Sequence, residues 1–417
     1  MTAPDIDGAR LLRRLHDLAA IGRTPDGGVT RPGFCETADD AYRYVAEEAR
    51  NAGLTAYVDA GGNLLIRQPG AAQRPRTLLL GSHLDTVMNG GWLDGAYGVI
   101  AALETLQTLA EHSVDLGCDV AAVAFANEEG AQFPQAFWGS MVLSGQLDAL
   151  PKEPTDYHGN PLRPALARVG GDLDALASAV WPAHTLLGYL ELHIEQGPVL
   201  ESRHIPVGIV DVIVGRAVLE VDFHGRAGHA GTTPMGHRAD AMLGAARLVT
   251  AVNQMPGLGQ CHVATVGHLE VQPNSANTIA GRVRLTVDLR DPDASRLDTA
   301  EQAVRDTATE LAGDLRLDVR CERLARSQPT ATHPGIRALI ADSANDLGLP
   351  SLTLPSGAGH DAQILAAVTS VGMIFAPSIG GESHVPQENT CPDDLLAGAR
   401  VLLSTVLRAP TLLNGPA

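Results

Sequence analysis

The stretch from Leu78 to Gly98, LLLGSHLDTVMNGGWLDGAYG, constrains the fold of this chain more than any other. Its apolar run, Leu78, Leu79 and Leu80, predicts a buried strand ending at Gly81 and Ser82. His83 and Asp85 then stand just past its carboxyl end, on one face at the two-residue period of a strand. Open α/β sheets hold their ligands at that end of their strands. Beyond a glycine turn at Gly90 and Gly91, Asp94 opens a pattern in which Ile100, Leu103, Leu106 and Ala110 recur at helical spacing. Asp94 is open to two readings, as the N-cap of that helix or as a second carboxylate facing the strand end.

The same pattern returns further along. The apolar run DVAAVAFA, Asp119 to Ala126, reads as a central parallel strand and ends in Asn127, Glu128, Glu129 and Gly130. A third strand, LLGYLELH, delivers His193 just before Glu195, Gln196 and Gly197. Before these strands the first twenty residues alternate charge with leucine as an amphipathic helix does. A helix from about Thr37 to Asn51 follows, with Thr37 and Asp40 in capping-box spacing and Gly53 as its stop. Two short strands, LTAYVD and NLLIR, flank a Gly61-Gly62 turn. Pro151 to Pro164 reads as a loop, and a short helix is expected near Leu173 to Val180.

From about Asp211 the pattern changes. RAVLEVDFHG alternates, a helix runs from about His237 to Gln254, strands HVATVGHLEV and RVRLTVDLR follow, then a helix from about Ser295 to Ala312 and a strand RLDVRCERL. That order, β-α-β-β-α-β, is the ferredoxin-like arrangement, and its alternation leaves one face of the sheet lightly covered. ARSQPTATHP reads as the exit linker. Afterwards a helix from about Pro334, the strand SLTLP, a helix after Gly359, the strand GMIFAP, a polar loop with His384 and a helix from about Asp393 resume the α/β style. The expected fold is therefore α/β, with a discontinuous domain over 1–211 and 330–417 interrupted by a ferredoxin-like domain over 212–329.

The balance of 30 basic against 48 acidic residues, net −18, opposes both a nucleic-acid backbone and an anionic membrane surface. Five scattered cysteines without a C-x-x-C pair fit a reducing compartment. No run approaches the roughly 18 apolar residues of a membrane span, and the first residues are unlike a signal peptide, so a cytoplasmic protein is expected.

His83, Asp85, Asp94, Glu128, Glu129, His193 and His384 thus collect at the carboxyl ends of the strands in the discontinuous domain. Imidazoles with carboxylates and no thiolate form a ligand set for zinc, manganese, cobalt or nickel, and there are enough of them for two ions sharing a carboxylate.

The segments GSHLDTV, WLDGAYGV, ANEEG, LHIEQGPVLE, GHAGTTPMGHRAD, PNSANTI, SGAGHDAQ and GGESHVPQE, in this order from end to end, resemble the hydantoinase/carbamoylase family of amidases within the M20 clan of metallohydrolases. The resemblance implies two divalent ions per subunit. Asp94 bridges them, His83 and His193 complete one site, and Glu129 and His384 complete the other. Asp85 is implied as the carboxylate that orients His83, and Glu128 as the general base that takes a proton from water and passes it to the leaving nitrogen. His229 is implied as the donor to the tetrahedral oxyanion, although by itself it could cap a turn. Arg290 and Asn277 match positions that bind a substrate carboxylate, Gln196 one that contacts a ureido group, and Gly359 or Gly357 a backbone donor to the carboxylate. Arg290 could equally pair with Asp288 or Asp291. The inserted domain corresponds to the family's lid and dimerisation domain, so a homodimer is expected.

The implied reaction is hydrolysis of a linear ureido amide on a small carboxylate-bearing substrate, an N-carbamoyl-L-amino acid or allantoate. The aromatic residues of QFPQAFWGS lean toward allantoate. Two other readings stand beside it: an aminoacylase or dipeptidase of the same clan, which His193 argues against, and a non-catalytic binding protein on the same fold. The chain departs from the family in its terminal GGESHVPQE and in Asn127 before the acidic pair, without loss of any ligand.

Overall fold

The computed structural model describes residues 4–70, 74–147, 151 and 153–413; residues 1–3 of the N-terminal run and Lys152 of the predicted loop lie outside these. The chain divides into two compact units, Met1–Asp211 with Thr332–Ala417, and Val212–Ala331.

The first unit opens with α1 (Gly8–Ala19) and α2 (Glu36–Asn51), then an antiparallel pair, β1 (Thr55–Val58) and β2 (Leu64–Arg67). There follow β3 (Thr77–His83), α3 (Ala96–Glu111), β4 (Asp119–Phe125), α4 (Trp138–Ser144), α5 (Leu162–Val169), β5 (Leu186–Ile194), α6 (Val199–Arg203) and β6 (Val207–Ile213). The second unit holds β7 (Gly215–His224), β8 (Gly228–His229), α7 (Ala241–Gln254), β9 (Val263–Gln272), β10 (Thr278–Ile279), β11 (Arg282–Asp291), α8 (Ala294–Leu315), β12 (Asp318–Ser327) and β13 (Thr330–Ala331). The first unit is completed by α9 (Pro334–Asp346), β14 (Ser351–Ser356), α10 (Asp361–Leu365), β15 (Val371–Ala376) and α11 (Pro392–Leu413).

The main sheet runs in the order β1-β2-β4-β3-β5-β15-β6, with β14 also paired to β6. Its centre, β4, β3, β5 and β15, is parallel. All seven residues of β3 and of β4 are buried, which is why these strands read as continuous apolar runs. Helix α3 is apolar nearly all round and correspondingly buried along most of its length. Parallel strands place all their carboxyl ends at one edge, and the site residues collect there.

Several local features differ from the sequence reading. Helix α2 is capped by Cys35, whose Sγ accepts the Ala38 N–H at 3.4 Å, while the Thr37 hydroxyl donates to the Thr30 carbonyl instead. The predicted loop before Pro164 already contains the start of α5, and the helix expected near 173–180 is only a 3-10 turn, Leu176–Ala179. Helices α4 and α6 and strand β6 were not anticipated; the helices span only seven and five residues, too short to show a helical period. Chain exit from the second unit comes two residues later than the linker suggested, because β13 pairs with β6 through Thr330↔Ile213 and Ala331↔Val212.

In the second unit four antiparallel strands lie in the order β12-β7-β11-β9. Along β11 buried and half-buried positions alternate, and the buried row packs with α7 and α8 in one apolar core. No helix among the described residues is long and apolar enough to cross a membrane.

Candidate metal centre

His83 is the last residue of β3 and pairs in register with Phe125 at the end of β4, so Glu128 and Glu129 follow close by. His193 sits one position from the end of β5, level with Phe375 of β15, and His384 lies in the loop after β15. Asn127, Gln196 and His384 in these loops adopt left-handed backbone, at φ 52°, 59° and 60°. Such conformations at non-glycine residues concentrate at functional sites.

Asp94 stands between two groups. Its Oδ1 lies 3.0 Å from His193 Nε2 and 3.4 Å from His83 Nε2, and its Oδ2 lies 3.2 Å from His384 Nε2. Glu129 Oε1 is 3.4 Å from the same His384 nitrogen. The side chains therefore form two groups able to hold an ion, His83/Asp94/His193 and Asp94/Glu129/His384, with Asp94 common to both. Asp94 does not cap α3: the cap position belongs to Gly95, at φ 63°. A Cβ at Gly95 would fall 2.5 Å from the His83 ring, so glycine is needed for the imidazole to reach Asp94.

Burial works against the charged form of Asp94, yet the imidazoles of His193, His384 and His83 hold its carboxyl well below the usual range. Burial pushes Glu128 well above that range, and burial with the nearby Asp94 pushes Glu129 up to about 7. A buried cluster with this excess of carboxylates is what divalent cations compensate, and oxygen with imidazole donors suits them. The donor set therefore fits metal ions.

Asp85 meets His83 chiefly through its backbone. The His83 Nδ1 partner is the Asp85 backbone carbonyl at 2.9 Å, while the Asp85 carboxylate is 3.9 Å away. That carboxylate accepts the backbone N–H groups of Glu128 and Glu129, each at 3.0 Å, so it fixes the acidic loop. Arg31, fully buried, brackets Asp85. Its Nε donates to the Leu84 carbonyl at 2.7 Å, and its backbone exchanges bonds with Thr86.

Gln196 Nε2 donates to Asp94 Oδ2 at 2.8 Å, and its Oε1 is buried without a hydrogen-bond partner among the described residues. A third group, Glu191, His193 and His360, is also close enough to be considered for an ion. Its members are already engaged: Glu191 accepts from the Ser82 hydroxyl and the Ala362 N–H, His360 Nε2 pairs with Ser356, and His193 Nδ1 donates to the Ile194 carbonyl. It reads as a hydrogen-bonded support behind His193. Gly359 abuts Phe137, whose Cζ lies 2.8 Å from where a Cβ would be.

The remaining residues belong to the second unit. His229 and Asn277 are brought together: Thr278 pairs with His229 across β8 and β10, and Ala230 N–H donates to the Asn277 carbonyl at 2.9 Å. Both side chains are exposed, and His229 Nδ1 accepts the N–H groups of Gly231 and Thr232, as a turn cap does. Arg290 Nε donates to Asp288 Oδ1 at 3.0 Å. Arg290 is near the end of β11 and Asn277 precedes its start at Arg282, so roughly 26 Å of extended strand separates those ends. The residues missed by the sequence reading are Glu388, Ser383 and Arg31. An acid four positions past His384 was the only local sign of the first.

A parallel sheet with histidine and carboxylate donors gathered at its carboxyl edge is a site able to hold metal ions. The peptidase family M20/M25/M40 matches residues 79–408, and this chain belongs to it, within the hydantoinase/carbamoylase amidases. It is 39% identical to the N-carbamoyl-L-amino acid amidohydrolase of Geobacillus stearothermophilus over 401 residues, 96% of this chain and 98% of that one. It is 34% identical to the allantoate amidohydrolase of Escherichia coli strain K12, over 92% of this chain and 94% of that one. The crystal structure of a hydantoinase/carbamoylase family amidase from Burkholderia multivorans superposes with a TM-score of 0.90 at 36% identity, covering 98% of this chain and 99% of the other. The protein is an amidohydrolase acting on C–N bonds.

Proposed function

We propose that this chain hydrolyses a linear ureido amide, R-NH-CO-NH2 plus water giving R-NH2, ammonia and carbon dioxide, with R carrying a carboxylate. The observation that carries the reading is Asp94, whose two oxygens face His83 with His193 on one side and His384 on the other. His83, Asp94 and His193 would hold one divalent ion and Asp94, Glu129 and His384 another; zinc, manganese, cobalt and nickel all suit these donors. Bound there, the ions would supply Lewis acidity toward the carbonyl oxygen and the attacking water.

The protein's own groups do the rest. Glu128 belongs to neither ligand group and lies 3.7 Å from His83, so its carboxylate is left to accept the proton of water and return it to the leaving nitrogen. Asp85 holds the backbone of Glu128 and thereby aims it. Gln196, with its free Oε1, contacts the ureido group. His229 meets the oxyanion, and Arg290, Asn277 and a Gly359 N–H meet the carboxylate.

N-carbamoyl-L-amino acids are the first substrates to test, followed by allantoate. The aromatic hint toward allantoate narrows to Phe137, which abuts Gly359, because Phe133 and Trp138 are buried in a core cluster with Phe34. A screen for ammonia release by the metal-reconstituted protein should find one of these substrates. Hydrolysis of an N-acyl amino acid with no ammonia from any ureido compound would transfer the chain to the aminoacylase reading.

A homodimer through the second unit is part of the same proposal. Among the described residues β9 ends the four-stranded sheet with an unpaired edge and exposes Val263 and Leu269, a surface that a second copy can cover. The separation of Arg290 from Asn277 along β11 supports it too, since one small substrate cannot meet both in a single copy. A monomeric mass by light scattering at micromolar concentration would remove the dimer.

A further inference from the structure

Glu388 is 1% exposed, and its carboxylate accepts four hydrogen bonds, all from the two loops that carry Asp94 and His384. Its Oε1 accepts the backbone N–H of Leu93 at 2.9 Å and of Asp94 at 3.0 Å. Its Oε2 accepts the Ser383 hydroxyl at 2.9 Å and the His384 N–H at 3.4 Å. Ser383 Oγ is also 3.2 Å from Asp94 Oδ2. One side chain thus ties the residue common to both groups to a ligand found in only one of them. It does so across 294 positions of sequence.

Gly91 leaves the room for this contact. A Cβ there would fall 1.9 Å from the Glu388 carboxyl carbon and about as close to both oxygens, at 2.0 and 2.2 Å. Because four bonds fix that carboxylate, it cannot swing aside as a free side chain would. The charge is informative as well. An amide could accept the same two N–H groups on its oxygen, whereas a carboxylate adds another negative charge to a buried acidic cluster. That charge is favourable where cations are held.

We propose that Glu388 is a positioning residue that fixes the spacing between the two ligand groups, so that its loss weakens the hold on both ions. The inference rests on the metal reading of Asp94, His83, His193, Glu129 and His384. Outer partners of metal ligands set ligand orientation, and their loss lowers affinity while the fold survives.

The test is zinc binding by metal-stripped protein, read by equilibrium dialysis with elemental analysis, beside far-UV circular dichroism of the same samples. Wild type, Glu388→Gln, Gly91→Ala and His384→Ala are compared. Glu388→Gln and Gly91→Ala are expected to keep the wild-type spectrum and to bind zinc roughly 10- to 100-fold more weakly at both sites. His384→Ala, which deletes a ligand, is expected to lose one ion and keep the other. Gly91→Ala leaves the carboxylate's chemistry intact and displaces it, so it decides the matter should Glu388→Gln fail to fold. Zinc affinity within about threefold of wild type in Gly91→Ala and in a folded Glu388→Gln would overturn the positioning role. Wild type that binds no zinc would instead overturn the metal reading itself, and the role with it.

Discussion

Asp85 Oδ1 accepts the backbone N–H of Glu128 at 3.0 Å, which fastens the loop after β4 to the end of β3. Asp85 Oδ2 does the same for Glu129. In Asp85→Asn one acceptor becomes an NH2 group pointed at a backbone N–H, so the acidic loop loses half its anchor. The His83 contact survives, because it uses the backbone carbonyl of residue 85. The expected result is kcat lowered roughly 10- to 100-fold, with the ion of the His83 group retained and any weakening confined to the ion of the Glu129 group. Steady-state kinetics with elemental analysis reads both, and loss of both ions would return Asp85 to the role of orienting His83.

Glu128→Gln keeps shape and removes the proton acceptor. Since Glu128 lies outside both ligand groups, zinc content should stay at the wild-type level while kcat for ammonia release falls about 10²- to 10⁴-fold, the span of general acid–base catalysis. Turnover that survived the substitution would require another base.

The gathering of His83, Glu129, His193 and His384 was legible because each follows an apolar run whose end is marked by a polar stop, and parallel strands place such stops at one edge. Contacts made by the backbone were not. Nothing in the sequence around Asp85 says that its carboxylate meets the N–H groups of residues over forty positions later. Glu388 was hidden for the same reason. Arg290 and Asn277, named from the resemblance, stand toward opposite ends of an extended strand, a separation that motif matching does not reveal. In QFPQAFWGS the aromatic residues Phe133 and Trp138 build core, which composition near a site cannot distinguish from a pocket lining.

Asp94→Ala removes an oxygen from each ligand group at once. A site with an independent carboxylate for each ion would lose one, whereas the shared arrangement predicts that both ions bind too weakly to survive dialysis. Elemental analysis of the dialysed variant, with circular dichroism to establish its fold, makes the comparison. Two retained ions would show that Asp94 is no bridge.

Arg31 is fully buried, and no carboxylate lies within ion-pair distance of it among the described residues. Burial pushes its guanidinium down to about 10, so it is charged at neutral pH and compensated by carbonyls: Leu84 at 2.7 Å, Ile21 at 3.0 Å and Leu18 at 3.2 Å. Two effects oppose one another in Arg31→Met. Removing a buried charge relieves desolvation, while stripping donors from buried carbonyls costs about 1–3 kcal/mol for each one left unsatisfied. The Leu18 carbonyl keeps the Ile21 N–H at 3.1 Å, so two carbonyls, Leu84 and Ile21, lose the guanidinium; the second effect still wins, and a net loss of about 2 kcal/mol is expected. The Leu84 carbonyl immediately precedes Asp85, so the damage should reach the acidic loop as well, and kcat should fall along with stability. Urea unfolding at pH 7 gives the first quantity and ammonia release the second. An unchanged urea midpoint with unchanged kcat would mean that the bonds of the Arg31 backbone to the Thr86 N–H and hydroxyl alone hold the end of β3.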